Sequence, residues 1–315
     1  MKKLLFLFLC FFTLETFAQK RSINNKLSAE HIFISATKIA LVPPPNFTKA
    51  IGFSGFQQAE TNSSILVAEI PAPYPEMVKS FTAENLKTRG VILIKTEDIS
   101  FQNTPAKLLI TKQSANGMDF SKTILVFGDA KKVILLNFLY PENDKTLAEQ
   151  MDKAIASVVY QSTKQVNPLE EANFKINTAD SKFKFAHSLS GSLIFTSDGQ
   201  LPPADTDKAF LSVSQILVNT STVLDKKVLA IQTMQKFPNG KKTKIEKVST
   251  IEIDGLTGYE VIGTGENEKG QKELVYEVML FSNSSYYTII GISPTQFDSY
   301  LEVYKSIAKT FERKL

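Results

Sequence analysis

The chain has 315 residues, of which 43% are hydrophobic and 22% charged, and it contains 23 phenylalanines but no tryptophan. This length and composition are typical of a soluble globular protein with two domains of ordinary size, each with its own core. The formal net charge of +4 is too small to indicate a nucleic-acid partner, so we expect none.

The first 18 residues have the three parts of a secretory signal peptide. Lys2 and Lys3 form the positive start, residues 4–12 are apolar, and residues 16–18 (Thr-Phe-Ala) form a small-x-small cleavage site. The apolar run is far shorter than the roughly 20 residues that a membrane-spanning helix needs. We therefore expect an exported protein, periplasmic or secreted, that begins at Gln19 and has no transmembrane span.

The chain's single cysteine, Cys10, lies within this signal segment. It follows Leu9 and lies early in the chain, whereas a lipid-modified cysteine needs a small residue before it, so the sequence does not favour lipidation. Cleavage after Ala18 leaves a mature chain without disulfides or thiol chemistry, which must be held together by its cores. The mature charge falls to about +3, because Lys2, Lys3 and Glu15 are removed.

Residues 19–32 are polar and predict a flexible lead into a first domain at 33–160. Pro75 suits the first turn of a helix that we expect to run to about Lys87, with Gly90 closing its C-terminus. An Asn116-Gly117 turn separates two later strands. Apolar runs between turn residues predict strands at 39–42, 53–56, 65–70, 91–94, 99–101, 106–112, 122–127 and 133–139.

Residues 161–171 lack apolar periodicity and predict a linker to a second domain at 172–315. The order of elements then repeats, with a helix at 224–237, a turn at Asp254-Gly255 and a polar loop at 264–272. The Asp254-Gly255 turn falls where Gln102-Asn103 falls in the first half. The expected strands are 183–185, 193–196, 210–218, 248–253, 258–263, 274–281 and 286–292.

Residues 122–159 and 273–311 repeat one design of strand, polar turn, apolar strand, proline and amphipathic helix, with Pro141 matching Pro294. The closing helix is expected to start with Ser293 as the cap, Pro294 in the first turn and Gln296 completing a capping box. Its apolar stripe consists of Phe297, Tyr300, Leu301, Tyr304, Ile307, Ala308 and Phe311. The matching stripe of the first half consists of Leu147, Met151, Ala154, Ile155 and Val158.

Strands joined by such short turns must be antiparallel, and each helix must cross its sheet to bury its stripe. We therefore predict an α+β fold of two tandem domains, each an antiparallel sheet packed with amphipathic helices.

The order of elements resembles the PsbP/Mog1-like fold over residues 30–160 and 172–313. The residues that carry this resemblance are the IEIDGLTGYEV segment at 251–261 and the YYTIIGISPTQFDSYLEVYKSIAKTF segment at 286–311. The first half departs from the pattern, with Gln102-Asn103 in place of the Asp-Gly turn. The resemblance implies exported binding or assembly modules rather than enzymes, and it supplies no partner-contact residues to transfer.

A search for chemistry gives no catalytic, cofactor-binding or metal-ligating residue. His31 and His187 have no neighbouring ligands at zinc spacing, and Asp205 with Asp207 lacks the further oxygens of a calcium loop. Ser35-Ala36-Thr37-Lys38 and the Gly263-Thr264-Gly265 loop are isolated fragments of longer motifs. Tyr286, Tyr287, Tyr300 and Tyr304 are expected to pack in the core, the alternative being a groove between sheet and helices or between the halves.

Three functions remain open at this point. The leading hypothesis is a non-enzymatic binding or assembly module of the cell envelope, with an unidentified envelope protein as partner and no cofactor. The second is a carrier of a small apolar ligand in a phenylalanine-lined pocket. The third is a hydrolase whose site is assembled from residues distant in sequence.

Overall fold

The computed structural model describes residues 21–50, 52–115, 117–204, 208–217, 220, 225–236, 243–267, 269–283 and 285–314. The predicted signal segment, Asn116 of the predicted turn, the Asp205–Asp207 pair and both ends of the helix predicted at 224–237 lie outside these ranges. Within them, two large sheets with helices on their faces form an α+β fold, which confirms the predicted class. In this part of the chain no helix is long and apolar enough to cross a membrane.

The N-terminal half contains eleven strands and three α-helices within the described ranges. The strands are β1 Ser22–Ile23, β2 Ile32–Phe33, β3 Ile39–Leu41, β4 Thr48–Lys49, β5 Gly55–Gln58, β6 Ser63–Ile70, β7 Val91–Phe101, β8 Thr104–Ala115, β9 Met118–Gly128, β10 Val133–Pro141 and β11 Val159–Tyr160. The helices are α1 Tyr74–Met77, α2 Ala83–Lys87 and α3 Lys145–Ser157, with a 3-10 turn at Val78–Ser80.

The C-terminal half repeats this plan with nine strands and, after the short helix α4 Pro168–Glu171, two longer helices. The strands are β12 Phe174–Lys175, β13 Lys184–Leu189, β14 Ser192–Thr196, β15 Phe210–Leu217, β16 Lys244–Ile253, β17 Leu256–Glu266, β18 Lys272–Phe281, β19 Ser285–Ser293 and β20 Glu312–Arg313. The helices are α5 Lys226–Gln235 and α6 Phe297–Ala308.

The two large sheets have the same strand order. It runs β4-β5-β6-β10-β9-β8-β7 in the N-terminal half and β13-β14-β15-β19-β18-β17-β16 in the C-terminal half. These strands are antiparallel throughout, as the short turns predict. The N-terminal sheet has one addition, because β1 pairs in parallel with the last two residues of β7.

The two sheets also share their local irregularities. A bulge follows Leu93 in β7, and a second follows Ile245 in β16, each eight residues before the end of its strand. Each of these strands ends in a two-residue hairpin turn with two positive φ angles, at Gln102-Asn103 (45° and 65°) and at Asp254-Gly255 (52° and 67°). This is the type I′ geometry that matches the twist of antiparallel strands.

The first residue of each turn also holds the strand that follows the long helix. In the N-terminal half, Gln102 Oε1 accepts a hydrogen bond from Tyr160 N at 3.0 Å. In the C-terminal half, Asp254 Oδ2 accepts from Arg313 N at 3.0 Å and from Arg313 Nε at 2.7 Å. The side-chain and backbone donors of Arg313 hold the pKa of Asp254 below its usual range.

The long helices α3 and α6 pack on the same face of their respective sheets. The stripes predicted for both are confirmed: Leu147, Met151, Ala154, Ile155 and Val158 are buried, as are Tyr300, Tyr304, Ile307, Ala308 and Phe311. Tyr304 lies with its ring against Gly291 of β19 and donates its hydroxyl to Ile292 O at 2.7 Å. The expectation that the C-terminal tyrosines pack in the core is met for Tyr287, Tyr300 and Tyr304.

Smaller elements cover the opposite faces. In the N-terminal half, side chains from α1 and the residues after it pack on β6, β9 and β10; they are Tyr74, Met77, Val78 and Phe81. In the C-terminal half, α5 packs on β17 and β18, and the residues that it buries fully are Ala230 and Met234.

The prediction of one continuous helix from Pro75 to about Lys87 is wrong. The chain leaves the helical conformation at Phe81, where ψ is 60°. Thr82 then starts α2 anew, since its side chain accepts a hydrogen bond from Asn85 N at 3.2 Å. A threonine cap of this kind satisfies an N–H group that a continuous helix would bond internally.

The capping box predicted at the start of the closing helix is also wrong. Ser293 is the last residue of β19, and its hydroxyl donates to Thr295 O at 2.6 Å. Gln296 has a left-handed backbone (φ 48°) and makes no side-chain cap bond, so the helix begins at Phe297. Sheet pairing of Ser293 with Leu274 takes precedence over the local helix signal.

Two segments expected to lack structure are partly ordered. In the lead predicted at 19–32, Ile23 is 3% exposed and pairs with Phe101, so its apolar side chain joins the core. In the linker predicted at 161–171, Asn167 caps α4, and Lys164 Nζ donates to Thr37 O at 3.1 Å.

Gly291 gives a test of the packing of α6. A β-carbon at this position would lie 2.5 Å from the Tyr304 ring, so we expect Gly291→Ala to lower the free energy of unfolding by about 1–3 kcal/mol. Chemical denaturation measures this change. In a Tyr304→Leu background the same substitution should cost clearly less, and an equal cost in both backgrounds would show that Tyr304 is not the cause.

Candidate binding edge of the N-terminal sheet

His187, the second histidine singled out from the sequence, lies where the two halves meet. Its Nε2 is 2.8 Å from the backbone oxygen of Glu69, so β13 of one half touches β6 of the other. Because a carbonyl oxygen only accepts, this Nε2 carries the proton. His187 therefore acts here as a donor that joins the halves, and it lies on the edge strand β13.

His31 holds the N-terminal lead against α3. Its Nε2 is 2.8 Å from the backbone oxygen of Ser157, which makes this nitrogen the donor and leaves Nδ1 as the acceptor. Both the hydroxyl and the N–H of Ser28 point to Nδ1, at 2.7 and 3.1 Å. The lone pair of Nδ1 is thus already engaged by a tight turn, a geometry suited to holding the chain rather than to activating a nucleophile.

Three recesses bear on the phenylalanine-lined pocket of the ligand-carrier hypothesis. One of about 320 Å³ has Phe101, Phe127 and Tyr160 beside Asp129 and Lys132. A recess of about 570 Å³ between the lead and α3 is lined by Pro43, Pro44, Pro45, His31 and polar residues, with no phenylalanine. A smaller cavity of about 220 Å³ between the halves includes Phe53 and Phe174 but is otherwise mostly small or polar. In the described part of the chain, no group of three or more His, Cys, Asp or Glu residues is placed to hold a metal ion.

The outer edge of β7 has the most unusual surface of the described chain. Ile92 is 59% exposed and Ile94 is 55% exposed, more than any other large hydrophobic residue in these ranges. Ile94 is the extra residue of the bulge, and Leu93 between them packs inward. On the outer side, Arg21 O and Ile23 O accept hydrogen bonds from Ser100 N and Gln102 N, and β1 pairs with β7 at Ser100 and Phe101. Among the described residues, no strand therefore lies beside 91–99.

The C-terminal half provides a comparison for this edge within the same chain. Counted from the shared bulge, Ile92 corresponds to Lys244 and Ile94 to Glu246, and β16 is likewise an edge strand. Charged side chains on an edge strand are a common protection against pairing with another chain. The edge of β16 has this protection at both positions, whereas β7 has isoleucine at both.

Charged residues follow the two isoleucines along the edge. Lys95 Nζ lies 2.7 Å from Glu97 Oε1, and Lys107 Nζ lies 2.5 Å from Asp98 Oδ1. The edge is thus apolar at residues 92–94. At residues 95–98 its charged side chains form ion pairs with side chains of opposite charge. Such a surface suits an extended polypeptide with apolar side chains at one end and polar ones at the other.

Sequence reasoning missed this edge. It identified residues 91–94 as strand, but a four-residue apolar run gives no indication of which side chains face solvent. The one available signal was the alignment of the two halves, which sets isoleucines against charged residues.

A second unusual group lies in the C-terminal sheet. Glu277 of β18 is 0% exposed, and among the described residues neither carboxyl oxygen has a hydrogen-bond partner. Burial raises the pKa of this carboxyl to about 8. Glu277 pairs with Ile290, whereas the matching pair of the N-terminal half is Ile124 with Asn137. The fold therefore accepts isoleucine where Glu277 lies.

No family model matches the chain, and no curated protein matches it. Among solved structures, CyanoP, the PsbP of Synechocystis sp. PCC 6803, is 12% identical, with a TM-score of 0.32, over 44% of this chain and 98% of that chain. LpqN of Mycobacterium tuberculosis, involved in cell envelope biogenesis, is 11% identical with a TM-score of 0.31 over 45% of this chain and 83% of its own.

The immunity protein TplEi of the T6SS from Pseudomonas aeruginosa is 11% identical with a TM-score of 0.33, over 90% of this chain and 97% of that chain. These likenesses are too weak to carry an argument about function.

The buried carboxyl gives a prediction about stability. Glu277 is protonated in the folded protein up to about pH 8 but ionises near pH 4.5 when unfolded. The wild type should therefore lose stability, relative to Glu277→Gln, as pH rises from 4.5 to 8. We expect the two proteins to be equally stable near pH 4 and the variant to be more stable by a few kcal/mol, order of magnitude, at pH 8.

Chemical denaturation at pH 4, 6 and 8 measures this difference. Glu252→Gln on the exposed surface of β16 is the control and should not show it. A pH-independent difference between Glu277→Gln and the wild type would contradict the prediction.

Proposed function

We propose that this chain is an exported, non-enzymatic binding module that takes up an extended, partly apolar segment of a protein partner along the outer edge of β7. The observation that supports the proposal is the exposure of Ile92 and Ile94 on an edge strand whose counterpart, β16, has charged residues there. An added strand supplies backbone hydrogen bonds for affinity, and the alternate side chains of the edge supply specificity.

The energetics favour a partner of this kind. Each isoleucine has a little over half of its surface left to bury, so the two together contribute about 2–3 kcal/mol toward the roughly 8 kcal/mol of a micromolar complex. Leaving both in water has no structural benefit, since Lys244 and Glu246 show that charged residues suit the same positions. A selected interaction explains why the apolar pair lies on this edge.

The further parts of the proposal come from the sequence. The chain is taken to be a tandem PsbP/Mog1-like protein of the cell envelope, on the residues at 251–261 and 286–311 that carry the resemblance. Export is proposed from the signal-like residues 1–18, and the partner is taken to be an envelope protein. A small-ligand carrier is a weaker alternative, because the recess beside α3 has no phenylalanine and the cavity between the halves has a mostly small or polar lining.

A photo-crosslinking residue placed at Ile94 tests the proposal. We expect it to capture a partner from an envelope extract, with the cross-links confined to one segment of that partner. A synthetic peptide of this segment should protect the amides of residues 91–98 from hydrogen exchange. The double variant Ile92→Lys with Ile94→Glu, which carries the charges of β16, should bind that peptide at least tenfold more weakly.

Two controls are available in the same chain. Met118→Lys, at an exposed position of the same sheet, should leave peptide binding unchanged, and a cross-linker at Glu246 should not capture the partner. Unchanged peptide binding by the double variant would refute the proposal. Cross-links from Ile94 to a second copy of this chain would show that the edge of β7 binds another copy of the chain and not a different protein.

A further inference from the structure

Glu277 has no structural task that the described residues reveal. It lies on the β18 face that also carries Val275, Met279 and Phe281, where side chains alternate between the two faces of the sheet. A buried carboxyl without hydrogen bonds is costly in either protonation state, and far more so when charged. Ile124 shows that an aliphatic side chain fills the matching position of the other half.

Within the described residues, the cover over this carboxyl is the ten-residue helix α5, which contacts β17 and β18. Helix α5 buries only Ala230 and Met234 completely, and Val228 is 43% exposed. Its N-terminus is capped by Asp225, whose side chain accepts from Val228 N at 2.9 Å. Elements with few buried apolar contacts are those that open most readily.

Few charged groups surround the carboxyl. The titratable neighbours are Tyr259 on β17, Tyr286 on β19, Glu273 on the same face of β18, and the lysines of α5 and its end: Lys226, Lys227 and Lys236. Lys226 Nζ lies over the Phe281 ring, 5.2 Å from its centroid. Burial, and then the charge of Glu277, raises the pKa of Tyr286. Among the described residues, no cation forms an ion pair with Glu277.

We propose that α5 is a movable cover, which packs on the sheet while Glu277 is protonated and lifts from it when Glu277 ionises. Lifting returns the carboxylate to water and exposes the apolar residues Val275, Met279 and Phe281. The device is separate from the edge of β7, because it lies in the other sheet. It gives the C-terminal half a face whose exposure depends on pH.

The direction and range of the pH dependence follow from the two protonation equilibria. The carboxyl has a pKa of about 8 under the cover and about 4.5 when exposed. The equilibrium constant for opening should therefore rise about tenfold per pH unit between about pH 5 and 8 and level off above pH 8. Over the whole range the rise is about a thousandfold.

Hydrogen exchange of the full chain, corrected for the intrinsic pH dependence of the chemistry, measures this opening. The protection of α5 amides at residues 229–235 should fall by about tenfold per pH unit from pH 5 to 8, while that of α6 amides at residues 300–308 stays constant. In Glu277→Gln and in Glu277→Ile, the protection of α5 should not depend on pH. Glu252→Gln should behave as the wild type.

Three results would overturn the proposal. The first is constant protection of α5 in the wild type across this range. The second is a pH dependence that persists in both Glu277 variants. The third is a parallel loss of protection in α6, which would mean that the half unfolds as a whole and α5 does not move by itself.

Discussion

The constraint on which the structure depends is that each large sheet is apolar on both faces and must be covered twice. Strand β18 shows this directly, because every residue from Leu274 to Phe281 is buried. A strand of this kind leaves no face for water, so each half needs helices on both sides of its sheet. The order of elements, with a small cover before the four-stranded meander and a long helix after it, provides both.

In each half, a long helix covers one face of the sheet and a smaller element covers the other. Helices α3 and α6 present continuous apolar stripes, and in the C-terminal half Tyr304 fills the space above Gly291. On the other face, the N-terminal half uses partly buried side chains such as Tyr74 and Phe81, whereas the described cover of the C-terminal half is α5 with Ala230 and Met234. Nearly the same scaffold therefore carries a long helix on one face and a small cover on the other, and in the C-terminal half the small cover lies over the face of Glu277.

Much of the fold was predictable from the sequence because local and global signals agree there. The stripes of α3 and α6, the paired turns and the antiparallel meanders follow from periodicity and turn chemistry, and the structure has them at the expected places. Predictions failed where a longer-range contact outweighed a local signal. Ser293 looked like a helix cap but is held by its pairing with Leu274, and Ile23 looked like part of a lead but is buried beside β7.

The candidate site was less predictable than the fold. Whether Ile92 and Ile94 face a core or solvent depends on what lies beside that part of β7, and among the described residues the neighbouring strand β1 reaches only Ser100 and Phe101. The burial of Glu277 likewise depends on a helix more than forty residues earlier. A single apolar run or a single acid in a strand does not encode such relations.

The hydrogen bonds between each hairpin turn and the strand after the long helix have a consequence for protein engineering. By local preference, Asn-Gly is the favoured sequence for both turns. Replacing Gln102-Asn103 by Asn-Gly would shorten the side chain whose Oε1 receives Tyr160 N, and replacing Asp254 by Asn would remove the charge that holds Arg313. An Asn-Gly turn would therefore fit the type I′ geometry better. It would also weaken the hydrogen bonds that hold β11 and β20 to their turns.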